Sequence, residues 1–178
     1  MDVCLNTSNK GKLAEFKQLF AKYGISLKSS AIDLAEIDAD PINVLVHKAS
    51  SLKDECLVDD TSLEVEGADI GVNIKWLLTD LPKYLQRKAT WTVLLGHKKG
   101  GLIYLYKGQI HGTIVNSQGY GGFGFDPYFM PVGHQQTLAQ AKPPEVNARA
   151  EAVRNFVNQN VYQTHKPIIK WEGSWQQE

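Results

Sequence analysis

The stretch Val3-Cys4-Leu5-Asn6-Thr7-Ser8-Asn9-Lys10-Gly11-Lys12 runs from an apolar triplet into small polar and glycine-containing residues, after which Leu13, Phe16, Leu19, Phe20 and Tyr23 recur at helical spacing. It reads as strand, loop, helix. Gly24 suits the end of that helix, and Ile25 to Leu34 alternates loosely as a second strand. Asp40-Pro41 reads as an N-cap and first-turn proline, opening a helix with Leu45, Ala49 and Leu52 on one stripe and an end near Glu55. Cys56-Leu57-Val58 then feeds Asp59-Asp60, and Leu63 and Val65 alternate with Glu64 and Glu66, which predicts strand, acidic corner, strand.

Farther along, Trp76, Leu77, Leu78 and Leu81 predict a helix over Ile74 to Leu85 that Pro82 kinks or splits. Trp91 to Leu95 and Leu102 to Tyr106 are strand-forming runs on either side of a connection from Gly96 to Gly101, and Ile110 to Val115 extends the same sheet. Gly119 to Pro127, with four glycines in nine residues, is a specialised loop. Tyr128-Phe129-Met130 follows. A last helix from about Asn147 carries Ala150, Val153, Phe156 and Val157, and the tail beyond Pro167 is too short for a domain. With no repeat or linker, residues 1 to 178 are expected to form one mixed α/β domain, strands and helices alternating early and antiparallel hairpins later.

Composition excludes several function classes. The chain has 178 residues, 43% of them apolar, enough for a sizeable core without disulfides. Lysine plus arginine and aspartate plus glutamate number 19 each, so no overall positive field gathers nucleic acid or anionic membrane. The 2 cysteines, Cys4 and Cys56, lie in apolar runs without zinc-site spacing and read as reduced, structural residues. No signal peptide or run of about 20 apolar residues is seen, so a cytoplasmic protein without membrane or nucleic-acid partners is expected.

A loop leaving a strand and entering a helix offers backbone amides and the side chains of Thr7, Ser8 and Asn9 to an anion, with Lys12 adding a charge. The spacing is not that of the Walker loop. A plain capped turn with a solvated lysine is the competing reading. Asp59-Asp60-Thr61 places two like charges directly after an apolar strand, where they suit a hard cation such as magnesium better than they suit folding. An exposed acidic turn is the alternative there.

The stretches NTSNKGKLAEF, LVDDTSLEVE and GFGFDPYFMP resemble, in order, three motifs of the inosine triphosphate pyrophosphatase family: Thr-Gly-Asn followed by Lys-Leu-x-Glu, an acidic Glu-Asp-Thr or Glu-Asp-Ser segment, and Phe-Gly-aromatic-Asp-Pro-x-Phe. IKWLL and YKGQIHGTIV also look like their counterparts, and the similarity spreads from about residue 3 to residue 157. The resemblance implies an elongated mixed β-sheet with flanking helices, two lobes around a central cleft, and usually a homodimer. It also implies magnesium-dependent hydrolysis of aberrant purine nucleoside triphosphates, such as those of inosine and xanthosine, to monophosphate and pyrophosphate. Matched residue by residue, Thr7, Ser8, Asn9 and Lys12 fall on the triphosphate loop, with Ser8 where the family usually has glycine. Asp60 falls on the acidic metal ligand and base, Glu36 on the second metal carboxylate, and Lys48 on a phosphate-facing lysine; Asp60, Lys12 and Glu36 are thereby the catalytic candidates.

Phe123, Gly124, Phe125 and Asp126 form the loop expected to stack a base, with aromatic core filling as the alternative. The resemblance fails most at PPEVNARAEAVRNF. Val146 stands where the family has lysine, Asn147 remains a substrate-binding candidate, and Ala150-Glu151-Ala152 replaces Ser-His-Arg. Arg149 or Arg154 could supply a cation from another helical angle, or both could be solvated. The family's Leu-Pro-Gly or Ala-Pro-Gly turn after Glu66 is also missing. Two functions therefore compete: a pyrophosphatase with altered base preference, and a nucleotide-binding protein of the same fold with impaired turnover.

Overall fold

The structure, a computed structural model, describes residues 2–53, 55–68 and 79–176. Among these residues three α-helices, α1 (Lys10–Ala21), α2 (Pro41–Ser50) and α3 (Ala148–Val157), accompany one seven-stranded mixed sheet. Its strands are β1 (Asp2–Asn6), β2 (Ser26–Ser30), β3 (Cys56–Val65), β4 (Lys88–Lys99), β5 (Leu102–Ile114), β6 (Phe129–Pro131) and β7 (Gln163–His165). The order is β2-β1-β3-β4-β5-β6, with β7 also paired to β5. β1 is parallel to both β2 and β3, with Asn6 opposite Ser30 on one side and Val58 on the other. β6 and β7 pair with β5 antiparallel. No helix among the described residues is long and apolar enough to cross a membrane.

The local signals at the starts of α1 and α2 act as expected, while β2 is shorter than the expected run from Ile25 to Leu34. Asn9 caps α1 by accepting from the Lys12 N–H (3.0 Å), and Phe16, Leu19 and Phe20 form its buried face. Tyr23 lies past the helix end and is exposed. Asp40 caps α2 at the Asn43 N–H (3.3 Å), with Pro41 in the first turn.

Four further expectations need correction. The acidic corner does not exist, because β3 runs unbroken through Asp59 and Asp60. The connection from Gly96 to Gly101 shrinks to Gly100-Gly101, both at positive φ (58° and 79°), the backbone of a tight two-residue hairpin; residues Gly96 to Lys99 belong to β4. α2 ends at Ser50, short of Glu55. Of the helix expected over Ile74 to Leu85, residues 74–78 lie outside the described residues, and Leu81–Tyr84 is a single 3-10 turn with Pro82 near its start. Proline has no N–H to donate and its ring blocks a preceding carbonyl, so an α-helix does not continue through it.

The chain divides into two compact units: residues 1–60, 94–107 and 152–178 in the first, and 61–93 with 108–151 in the second. In the first, Leu45, Val46 and Ala49 of α2, with Leu52 just beyond it, bury against Cys56, Val58, Leu94, Ile103 and Leu105. Phe156 meets Phe20 and Tyr106 edge-on there, with centroids at 5.9 and 5.3 Å. In the second unit Trp91, Phe125 and Phe129 form a cluster of edge contacts at 5.8 to 6.4 Å. Burial, with the Cys4 thiol beside it, pushes the Cys56 thiol up to about 12, so it stays protonated and acts as a small apolar residue.

Candidate active site

Parallel pairing of β1 with β2 and β3 brings three segments together. After β1 comes Thr7-Ser8-Asn9, after β2 the irregular segment bearing Glu36, and just past the register partner Val58 come Asp59 and Asp60. The carboxyl ends of parallel strands are where open α/β sheets hold ligands. Asn6, buried, ties two of these segments together. Its Oδ1 accepts from the Ser30 hydroxyl (2.7 Å) and the Ile32 N–H (2.8 Å), and its Nδ2 donates to the Ile32 carbonyl (3.1 Å).

The loop is preshaped. Thr7 Oγ1 accepts from the Asn9 N–H (3.1 Å), while Ser8 and Asn9 are exposed at the start of α1. Thus Thr7 and Asn9 use side-chain oxygens to hold the turn, and the helix-start amides are oriented by it. Lys12 does not point at open solvent: its Nζ lies 3.0 Å from Asp59 Oδ2, with the side chains 21% and 3% exposed.

Alternation along β3 separates the two aspartates. Asp59 is buried with Lys12, whereas Asp60 is half-buried and belongs to the electrostatic neighbourhood of Lys48, Lys12, Asp59 and Glu36. Desolvation pushes the Asp60 carboxyl up to about 6; Lys48 and Lys12 oppose the rise, and the like charges of Asp59 and Glu36 add to it. Lys48, on α2, reaches Glu36 Oε1 at 3.5 Å and donates to the Asp59 carbonyl at 3.2 Å. The structure therefore brings Thr7, Ser8, Asn9, Lys12, Glu36, Lys48 and Asp60 to one end of the first unit.

Among the described residues, no three of His, Cys, Asp and Glu are grouped as a closed metal cage. Asp60 and Glu36 offer hard carboxylate oxygens, and desolvation leaves the Asp60 charge in want of a cation. That donor set fits an ion such as magnesium, which accepts one or two protein carboxylates and takes its other ligands from water and phosphate.

The glycine-rich loop, in the second unit, sorts its four candidates into different situations. Phe125 is buried at 5% and packs edge-on against Trp91 and Phe129, the core-filling arrangement. Phe123 is only half-buried. Gly124 is exposed at φ 62°. Asp126, 2% exposed, accepts from the Phe123 N–H (3.0 Å) and pairs with Lys142 Nζ (2.7 Å). Its carboxylate fills the space a side chain on Gly122 would need, and Gly122 is also at φ 69°, so this position requires glycine. Asn147 Oδ1 accepts from the Arg149 and Ala150 N–H groups (2.9 and 3.2 Å), which makes it the N-cap of α3.

Sequence reasoning missed Lys142 and left Arg149 open. Arg149 is 3% exposed, with Cζ 4.9 Å from the Phe123 ring centroid and 5.3 Å from that of Trp91, and Nη2 3.5 Å from Thr61 Oγ1. Lys142 Nζ sits 5.2 and 5.7 Å from the same rings. Arg154 is exposed. The only local signal for Lys142 is the Pro143-Pro144 pair behind it, which restricts its backbone to extended forms.

The Ham1 family model matches residues 3–159. A dITP/XTP pyrophosphatase of Pyrobaculum aerophilum is 28% identical over 187 residues, covering 96% of this chain and 100% of its own. An inosine triphosphate pyrophosphatase of Schizosaccharomyces pombe is 31% identical over 159 residues, covering 80% of this chain and 84% of its own. A crystal structure described as a nucleoside-triphosphatase / dITP/XTP pyrophosphatase, from Mycobacterium abscessus, has the same fold, with a TM-score of 0.55 at 22% identity over 90% of this chain and 95% of that one. On the family match and these relatives, the chain belongs to the Ham1 family.

Proposed function

We propose that this protein hydrolyses nucleoside triphosphates to the monophosphate and pyrophosphate in the presence of magnesium. The observation that carries the reading is the convergence, past the carboxyl ends of β1 and β2 and beside the middle of β3, of a capped loop of small polar residues with Lys12, Lys48, Asp60 and Glu36. The names of its Ham1 relatives support the same reaction.

The amides at the start of α1 and the Ser8 hydroxyl would hold phosphate oxygens, with the charges of Lys12 and Lys48 offsetting their negative charge. Lys12 exchanges Asp59 for phosphate in that event, and Asp59 keeps it nearby in the meantime. Glu36 and Asp60 would hold magnesium, which supplies further neutralisation of phosphate charge. Asp60 accepts a proton from water as the water oxygen bonds to the α phosphorus, the bond between the α and β phosphates breaks, and pyrophosphate leaves.

Base preference is assigned to Phe123, Lys142 and Arg149. Both cations carry N–H donors and no acceptor, so a base edge bearing carbonyl oxygens, as in hypoxanthine or xanthine, is favoured over the amino edge of adenine. We also infer a homodimer, which the family resemblance supports and sedimentation would check. The decisive experiment measures pyrophosphate release from ITP, XTP, dUTP, GTP and ATP with and without magnesium, on wild type and Asp60→Asn. Release restricted to the oxo-purines, dependent on magnesium and lost in the variant at unchanged circular dichroism, is expected. No release from any of the five would leave the second reading, a nucleotide-binding protein with impaired turnover, which loss of the Ser-His-Arg triplet favours.

A further inference from the structure

The tail beyond Pro167, assigned no role above, is fastened to the segment that bears Glu36. Ile37 forms an antiparallel bridge with Trp175. The Asp38 N–H donates to the Ser174 carbonyl (2.9 Å), the Gln176 N–H to the Glu36 carbonyl (2.9 Å), and Gln176 Nε2 to the Ile37 carbonyl (3.1 Å). Ile37 itself is fully buried. Trp175 also meets His47 edge-on, with ring centroids 5.3 Å apart. His47 precedes Lys48 on α2, and Lys48 is the residue that reaches the Glu36 carboxylate. Farther back, the Ile168 N–H donates to Ser50 Oγ (2.9 Å) at the end of the same helix, and Trp171 Nε1 to the Ser174 carbonyl (2.8 Å).

We propose that Ser174, Trp175 and Gln176 are positioning residues for the Glu36–Lys48 pair, holding the backbone that carries the carboxylate and the helix that carries the ammonium with one short strap. The inference rests on the reading of Glu36 as a metal carboxylate. Its physical basis is that Glu36 lies in no helix or strand of its own. Asn6 secures this segment at Ile32, four residues before Glu36, and the strap secures it at Glu36, Ile37 and Asp38. A carboxylate on an unanchored segment must be ordered when a metal binds, and groups that fix a ligand in place contribute about 10- to 100-fold in metal affinity.

The test uses the full chain with Trp175→Ala, Trp175→Phe and Gln176→Pro. The last removes the N–H that bonds the Glu36 carbonyl. Calorimetric titration with Mn²⁺ or Mg²⁺ is expected to show about tenfold weaker binding for Trp175→Ala and Gln176→Pro, and near wild-type binding for Trp175→Phe, which keeps a ring against His47. The magnesium concentration for half-maximal pyrophosphate release should rise by the same factor, while the rate at saturating magnesium stays within about twofold. Hydrogen exchange at the Asp38 amide, which donates to the Ser174 carbonyl, reads the strap without any metal, and should accelerate in the same two variants while α1 is unchanged. Unchanged exchange and unchanged metal affinity in both variants would overturn the inference. Wild-type protein with accelerated exchange in the variants but no affinity for divalent metal would instead overturn the active-site reading and, with it, the metal role of the strap.

Discussion

Adjacent residues of one strand, Asp59 and Asp60 end in opposite electrostatic situations. Asp59 is buried against Lys12, and Asp60 carries a carboxyl raised to about 6 by desolvation. An acid raised in the folded state favours that state while protonated. Its contribution is fully present below the usual aspartate range near 4 and is lost as pH rises through about 6. In metal-free protein, Asp60→Asn should therefore be more stable relative to wild type at pH 7.5 than at pH 4, by about 1–2 kcal/mol, measured by urea unfolding in chelator. An equal difference at both pH values would remove desolvation as the cause. The two phenylalanines of the glycine-rich loop give a second residue-scale prediction. Phe125→Ala opens a cavity beside Trp91 and should cost about 3–5 kcal/mol. Phe123→Ala, half-buried, should cost less than about 2 kcal/mol yet raise KM for the preferred triphosphate more than Phe125→Ala does.

The elements depend on short-range chemistry that single substitutions can reach. Asn147 satisfies two amides at the start of α3, so Asn147→Ala should lower stability by about 1 kcal/mol and Asn147→Asp by much less, read from denaturant midpoints. A larger loss of nucleotide affinity than of stability in Asn147→Ala would mean that the residue touches substrate as well. Apolar spacing, the Asp40-Pro41 helix start and a glycine-bounded connection between two strand-forming runs are local, and α1, α2, α3 and the β4–β5 hairpin were readable from them. The interruptions were not. Nothing in Cys56 to Val65 alone says whether Asp59-Asp60 turns the chain, because a strand carries buried charges only where other elements bring cations, here Lys12 from α1 and Lys48 from α2. Gly96 to Lys99 likewise reads as loop until β3 pairs with it, through the Glu55 N–H to the Lys98 carbonyl at one end and the Glu66 N–H to the Lys88 carbonyl at the other.

For the whole molecule, equal numbers of acidic and basic residues, 19 each, leave no net charge at pH 7. Colloidal repulsion should be weakest there, so light scattering across pH 5 to 9 is expected to show a solubility minimum near neutrality. The polyphosphate must then be met by a local field, which Lys12 and Lys48 provide. The sequence by itself determined the mixed α/β class, the loop between β1 and α1 and the ordered motifs of the Ham1 family, because strand and helix periodicity, caps and turn residues act over a few positions. Tertiary structure alone decided that Lys12 is paired to Asp59, that Phe125 is core while Phe123 is not, that Lys142 and Arg149 share two aromatic faces, and that Ser174 and Gln176 hydrogen-bond the segment bearing Glu36. Each of these joins residues far apart in the chain. Burial, ion pairing and strap formation depend on distances through space, which only the assembled sheet and its helices fix.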